Sequence, residues 1–291
     1  MRSERISAII PTYNRAHTLG NAIRSIEAQT VPVHEIIIVD DCSSDGTESF
    51  LKTQYPQCVY IRLPFRSGAQ AARAEGVRHA SGDWIAFLDS DDMWLPEKNR
   101  WQLEKAAEGY PVVHGDSLKK VNGKDIYFKF CTLEGQNVFK EMLAYPSPLY
   151  QTLLLRRECF DTAGLPDSKI TSYQEWDFSL QMAKNYPLGY VNKPLMIYCL
   201  SPDGISIDIY RRIQGYEQIV CKWWEDIMSV AGAEVGMRHY RKLGQLAYRV
   251  AGLPGLLYYT RLGSRLTKQK AVGIVAAELF NLVKKRINFS K

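Results

Sequence analysis

Four short apolar runs in the first 90 residues each break off at polar or turn-forming residues, and segments with helical spacing separate them. "ISAII" (6–10) stops at Pro11, "EIIIVD" (35–40) runs into "DCSSDGT", "CVYIRL" (58–63) follows, and "WIAFLD" (84–89) runs into "SDDMW". Runs this short suit strands buried on both faces. Between the first two, Leu19, Ala22, Ile23 and Ile26 recur at helical spacing. A helix is expected near 47–54, another over "GAQAARAEGVRHA" (68–80), whose small residues allow close packing on a sheet, and a third from Pro96 to Ala107, with proline in its first turn. The alternation predicts an α/β fold with a parallel sheet across the first 115 residues.

Beyond that point the pattern changes. "PVVHGD" (111–116) reads as a strand, and "LKKVNGKDIYFKF" places an Asn-Gly turn between two extended halves, so the sheet is expected to become mixed. "YQTLLL" (150–155) reads as a further strand and "SYQEWDFSLQMAKNY" (172–186) as a helix, and everything from about Tyr210 onward looks helical. The expected organisation is a globular head over 1–208, itself made of halves 1–115 and 116–208, followed by a helical extension over 209–291. With 46% hydrophobic residues the chain has ample material for a core.

The formal charge of +6 is concentrated at one end. Eight Lys or Arg against Glu278 alone give residues 261–291 a charge of +7, which leaves −1 on the first 260 residues. A body without excess positive charge argues against nucleic-acid binding. The six cysteines are scattered and form no C-x-x-C pair, so reduced thiols in a cytoplasmic protein are expected rather than a zinc knuckle or a disulfide scaffold. The N-terminal apolar run is too short for a signal peptide, and no run approaches the roughly 20 residues that span a bilayer. "AVGIVAAELFNLVKKRI" (271–287), with "LPGLLYYTRLGSRL" before it, suits an interfacial helix attracted to anionic lipid. The same composition equally suits a helix packed on the protein or in a homodimer interface.

In a parallel α/β sheet, ligands bind beyond the carboxyl ends of the strands. "PTYN" (11–14), Asp40-Asp41 and "DSDD" (89–92) should therefore open onto one crevice. On extended backbone, Asp89 and Asp91 point the same way and Ser90 the other. Two such carboxylates suit Mg²⁺ or Mn²⁺ shared with a diphosphate. Alternatively, aspartates at a strand end simply form turns and helix caps. Tyr13 is placed to stack on a base or to pack; Asp40-Asp41 can present a carboxylate to a base imino group, or merely end the strand before a helix cap at Ser44 or Asp45.

Together, "AIIPTYNRAHTLGNAIRSIEAQT", "EIIIVDDCSSDGT", "GAQAARAEGVRHASGDWIAFLDSDDMWLPEK" and "SYQEWDFSLQMA" resemble the family 2 inverting glycosyltransferases, whose catalytic domain has the GT-A nucleotide-diphospho-sugar fold. The resemblance implies that Pro11, Tyr13 and Asp41 hold the nucleoside, that Arg73 approaches the base or phosphates, and that Asp89, Ser90 and Asp91 form the Asp-x-Asp element. Asp91 would then be the direct metal ligand, with Asp89 beside it. Family members usually carry Glu-Asp at the head of the later helix, whereas this chain has Gln174-Glu175, so Glu175 occupies the position of the catalytic base. Ser172 to Glu175 also match a capping box, which would fold Glu175 back on the helix start. Asp177 is read as a structural partner. A histidine metal ligand known in some members is absent or replaced, since no histidine lies between 180 and 230, and His114 is read as core or rim.

What the resemblance implies is transfer of a sugar from a nucleoside-diphosphate sugar to an acceptor hydroxyl, with Mn²⁺ or Mg²⁺ as cofactor. The acceptor would be a saccharide or lipid-linked saccharide in surface-polysaccharide synthesis. The protein would be cytoplasmic, peripheral on the inner face of the membrane through 254–291. Competing readings are an inactive glycan-binding relative and a sugar nucleotidyltransferase, though "PTYNRAHTLG" lacks the latter's glycine-rich phosphate loop.

Overall fold

The structure is a computed structural model and describes residues 4–121, 124–145, 147–199 and 208–268. The chain divides into two compact units, Met1–Ile170 with Gln174–Gly204, and Thr171–Tyr173 with Ile205–Lys291.

The first unit is built on one mixed sheet. In chain order its elements are β1 (Ile6–Thr12), α1 (Ala16–Glu27), β2 (Glu35–Asp40), α2 (Thr47–Gln54), β3 (Val59–Arg62), α3 (Ala69–His79), β4 (Trp84–Phe87), β5 (Met93–Trp94) and α4 (Lys98–Ala106). There follow β6 (Val112–Val121), β7 (Lys124–Phe128), α5 (Val138–Leu143), β8 (Leu154–Arg156), α6 (Cys159–Ala163), α7 (Gln174–Asn185) and β9 (Leu188–Cys199). Across the sheet the strands run β3-β2-β1-β4-β8-β6-β9-β5, with β7 added on β6. The β3-β2-β1-β4 portion is parallel, β8 is antiparallel to both its neighbours, β6 and β9 are parallel, and β5 and β7 are antiparallel edges.

The expected α/β half is present because its apolar runs are covered on both faces. Leu19, Ala22, Ile23 and Ile26 of α1 pack on Ile6, Ala8 and Ile10 of β1 and Ile36 and Ile38 of β2. The small residues of α3 let that helix lie close on the sheet, since a Cβ at Gly76 would come within 2.4 Å of Ile9 Cγ2. The hairpin of β6 and β7 also forms as its Asn-Gly signal predicts.

Two segments depart from expectation. Tyr150–Thr152 form a 3-10 turn rather than the start of a strand, and the paired strand begins only at Leu154. That turn sends Tyr150 into an aromatic cluster with Phe87 and Phe178, a better-packed place than a sheet position would offer. β9 has no clear strand signature, because "NKP" (192–194) interrupts it. The structure absorbs the interruption as a register shift opposite Gly115 to Ser117.

The second unit is helical, with α8 (Ile209–Lys222), α9 (Trp224–Asp226) and α10 (Ala233–Lys268). Helix α10 is broken at Gly252 (φ 59°, ψ −149°), with Pro254 just beyond. Its two limbs double back on each other: a Cβ at Gly263 would lie 2.4 Å from Tyr240 Cβ, and one at Gly255 would lie 2.9 Å from the Ala247 carbonyl oxygen. Of the apolar stretch expected at a membrane surface, Tyr259 and Leu266 are therefore buried in this helical pair, and residues 271–287 lie outside the described residues.

Between α8 and α10, Glu217 is buried with Tyr259 donating to its carboxyl, while its Oε1 has no hydrogen-bond partner. Burial pushes its pKa up to about 7 from an ordinary 4.5. The folded state holds this proton more tightly than the unfolded one, so stability is lost as pH rises from about 4.5 to about 7, by about 3 kcal/mol in all. Glu217→Gln should raise the melting temperature at about pH 8 and change it much less at about pH 4.5, as scanning calorimetry would show.

Candidate active site

The crevice lies at the carboxyl ends of β1, β2 and β4, all in the first unit. Each strand ends where its apolar run stops, so the polar residues that follow are delivered to one place. The turn after β1 is held by the turn after β2: Ser43 Oγ accepts from the Asn14 amide at 2.8 Å, and Asn14 Oδ1 accepts from the Ser44 amide at 2.8 Å. Asn14 itself has left-handed backbone (φ 52°). Pro11 is buried in β1, and Tyr13 is partly exposed with the Arg66 guanidinium 4.1 Å from its ring centroid.

The two aspartates after β2 do different jobs. Asp40 is fully buried and accepts from Tyr60 Oη (2.7 Å), Arg62 and the Ser43 amide. Asp41 accepts from the Ser67 amide (2.5 Å) and the Gly68 amide (2.8 Å), which pins the start of α3 to the crevice wall. Its oxygens retain further lone pairs, so this does not preclude a base contact.

Arg73 stands at the centre. It is buried; Nη2 donates to Asp89 Oδ1 at 2.5 Å, and Nη1 donates to Gln70 (2.9 Å) and Gln174 (3.4 Å). Its guanidinium lies 4.2 Å from the Tyr150 ring centroid. Its charge is engaged by Asp89.

Asp89 also accepts from Gln151, which donates in turn to Asp92 Oδ2 at 2.9 Å. The other oxygen of Asp92 accepts from the Cys199 amide at 2.8 Å. Asp92 therefore ties the loop to β9. Ser90 is buried. Asp91 is part-buried, with Arg15 Nη2 3.9 Å away. Burial first, and Asp89 second, hold the Asp91 carboxyl above its ordinary pKa, while Arg15 draws it back. Burial and Asp89 raise Asp92 as well.

Glu175 closes the cluster from the head of α7. The helix starts at Gln174, after Tyr173 with φ 55°, so Glu175 sits too early in the first turn for the capping box its spacing suggested. Burial raises its pKa, its own amide and Arg73 lower it, and Asp89 raises it again. The carboxylate is thus within electrostatic reach of the Arg73–Asp89 pair. Asp177 is buried and accepts from Gln181, consistent with a structural place. His114 is fully buried and hydrogen-bonded to the Leu133 carbonyl, its pKa down to about 4 through burial.

Three contributors escaped the sequence reading. Gln151 comes from the unforeseen turn before β8, Tyr198 from the unforeseen β9, and Arg15 from a helix entry with no distinguishing pattern. The Tyr198 pKa is pushed up to about 12, first by burial and then by the charges of Asp92, Asp89, Asp91 and Glu175.

Asp91 and Asp92, both raised by burial and by the charge of Asp89, are a fit surface for a cation. Among the described residues no three His, Cys, Asp or Glu side chains are grouped to cage a metal ion. The donor set suits a divalent ion shared between Asp91 and a bound diphosphate.

A parallel half that feeds three polar loops, two of them acidic, into one crevice, continued by a mixed half that supplies a carboxylate beside them, defines the GT-A architecture of nucleotide-sugar transferases. Solved structures carry the same fold: TarS 1–349 of S. aureus in complex with UDP-GlcNAc superposes with a TM-score of 0.63 at 16% identity, covering 91% of this chain and 92% of that one. The mannosyltransferase PcManGT of Pyrobaculum calidifontis, in complex with GDP-Man and Mn²⁺, gives 0.61 at 17% identity over 97% of this chain and 80% of that one. The chain belongs to glycosyl transferase family 2, whose sequence profile matches residues 7–162. Among its relatives are YwdF, an uncharacterized glycosyltransferase of Bacillus subtilis, 32% identical over 69% of this chain and 76% of that one. Another is WfgD of Escherichia coli, a UDP-Glc:α-D-GlcNAc-diphosphoundecaprenol β-1,3-glucosyltransferase, 26% identical over 72% of this chain and 82% of that one.

Proposed function

We propose that this chain is an inverting glycosyltransferase that moves a sugar from a nucleoside-diphosphate sugar to a hydroxyl of a saccharide or lipid-linked saccharide in surface-polysaccharide synthesis. The observation that carries the reading is Glu175, presented from the head of α7 beside the Arg73–Asp89 pair. Pro11, Tyr13 and Asp41 line the nucleoside end, and Asp89, Ser90 and Asp91 the diphosphate end. Glu175 takes the proton of the acceptor hydroxyl, whose oxygen attacks the anomeric carbon from the face opposite the diphosphate. The C–O bond to the diphosphate breaks as the new one forms, and the configuration inverts. Arg73 holds Asp89 in place and favours the ionised form of Glu175 against the effect of burial. Asp91, with Asp89 beside it, would hold a Mn²⁺ or Mg²⁺ ion, which supplies neutralising charge to the departing diphosphate.

Among the described residues no helix is long and apolar enough to cross a membrane. Attachment to the inner membrane surface through 254–291 rests on the basic, apolar composition of that segment, supported by exposed Leu253 and Leu257 at the turn of α10.

The test is transfer from UDP-Glc, UDP-GlcNAc and GDP-Man, each with Mn²⁺ or with EDTA, to membrane lipid extracts and soluble glycans. One donor should give product with inverted anomeric configuration, and EDTA should lower the rate at least roughly a hundredfold, reversibly on adding Mn²⁺. Release of pyrophosphate from a nucleoside triphosphate and a sugar phosphate, in place of glycosyl transfer, would overturn the reading.

A further inference from the structure

Just ahead of Glu175 the chain passes through the second unit. Thr171–Tyr173 belong with the helices of that unit, whereas Ile170 before them and Gln174 after them belong to the first. What holds the three residues is one side of α8, where Arg212, Gly215 and Gln218 recur every third position. Gln218 Oε1 accepts from the Thr171 amide at 3.1 Å and from Thr171 Oγ1 at 3.2 Å. Arg212 donates to Tyr173 Oη through Nε at 3.3 Å and through Nη2 at 3.2 Å. Between these two contacts Gly215 lies against the Ser172 backbone: a Cβ at Gly215 would stand 2.5 Å from the Ser172 nitrogen and 2.6 Å from its carbonyl oxygen. Glycine inside a helix weakens it relative to alanine, and here the room a side chain would need is taken by Ser172.

The backbone shows what this grip maintains. Tyr173 has φ 55°, a left-handed conformation that a residue with a side chain disfavours and that persists where surrounding contacts over-determine it. The Tyr173 ring meets Tyr216 of α8 edge-on, with centroids 5.3 Å apart, and Tyr216 Oη is hydrogen-bonded to His239 Nδ1 of α10 at 2.8 Å. The residue after Tyr173 opens α7, and Glu175 is the second residue of that helix. The dihedral angles of Tyr173 therefore set the direction in which α7 begins, and with it the place of the Glu175 carboxylate. A misplacement of about 1 Å at a reacting group can cost roughly a hundredfold in rate.

We infer that α8 positions the catalytic base: Arg212, Gly215 and Gln218 hold the Thr171–Tyr173 turn from which α7 presents Glu175 to the acceptor hydroxyl. They are positioning residues, acting through the chain that leads into α7 and not on a substrate. This rests on the reading of Glu175 as the base, and it makes the helical unit part of the catalytic apparatus.

Gly215→Ala and Gln218→Ala, each in the full chain, test this. Alanine is the stronger helix former, so Gly215→Ala leaves α8 itself intact while pushing on Ser172. The first measurement needs no turnover. Hydrogen–deuterium exchange at residues 177–182, in the first turns of α7, should speed up at least roughly tenfold in both variants, with residues 6–12 and 35–40 unchanged. Unaltered exchange at 177–182 overturns the proposal.

The second measurement is kinetic, with whichever of UDP-Glc, UDP-GlcNAc and GDP-Man gives product. In both variants kcat should fall at least roughly tenfold while the donor KM stays within about twofold. Gln218→Glu, which keeps an acceptor oxygen for Thr171, should recover most of the loss. In a Glu175→Gln background Gly215→Ala should lower kcat by less than about twofold more, because the group it displaces is already disabled. A further loss of about tenfold in that background, or a donor KM that rises as kcat falls, means a general structural role and overturns the proposal. If exchange in α7 responds as expected and no donor gives product, the hold of α8 on α7 stands and the glycosyl-transfer reading is what fails.

Discussion

Glu175→Gln is expected to lower kcat by roughly a hundred- to ten-thousand-fold while the donor KM changes little, because the substitution removes proton transfer from the acceptor and leaves the nucleotide end untouched. Shape and hydrogen bonding are nearly conserved, so folding should survive. The pH profile adds a signature that a structural residue would not give. A general base works only when deprotonated, so the rate rises with pH through its pKa. Burial raises the Glu175 pKa, and the acid limb should accordingly lie above the ordinary glutamate range. Glu175→Asp should keep partial activity, since the shorter carboxylate is the one that relatives usually carry at this position. Steady-state kinetics and thermal melts on the three proteins would decide the matter; an unimpaired Glu175→Gln enzyme would remove Glu175 from the chemistry.

Arg73→Met should cost about 3 kcal/mol of stability and lower the melting temperature by roughly 10 °C. Removing one partner of a buried pair leaves the other uncompensated, and here Gln70 and Gln174 also lose a donor. The figure is at the low end for such a loss because the Asp89 side chain keeps 30% of its exposure. Arg73→Met/Asp89→Asn should recover part of the loss, since the orphaned charge goes with its partner. A second readout is catalytic. Arg73 lowers the Glu175 pKa, so in any Arg73→Met enzyme that folds, the acid limb of the rate profile should move to still higher pH. Melting curves and a pH–rate profile on the same preparations separate the two effects.

Much of the first half was legible because its signals are local. The runs of β1, β2 and β4 are mostly apolar where the sheet buries them, with Ser7, Thr12 and Asp40 as the polar exceptions, and the spacing of Leu19, Ala22, Ile23 and Ile26 could serve only one helix face. Asp89 and Asp91 could be singled out because a strand must end before them. The sequence was misleading where long-range packing outweighed local pattern. "YQTLLL" has strand composition, yet Tyr150 gains more by packing on Phe87 and Phe178 than by continuing the sheet. Ser172 to Glu175 have capping-box spacing, yet the chain enters α7 through a left-handed Tyr173. β9 carries Tyr198 and Cys199 to the aspartates through a pairing with β6 that its interrupted sequence does not advertise.

The sequence by itself therefore determined the α/β class, the order of the acidic loops and the family, because these follow from periodicity and from motifs that are contiguous in the chain. Only the tertiary structure decided who partners whom: that Arg73 spends its charge on Asp89 and that Asp92 braces β9. The physical reason is that charge pairing and strand register are set by residues tens of positions apart, whose meeting depends on the folded sheet and not on any local preference.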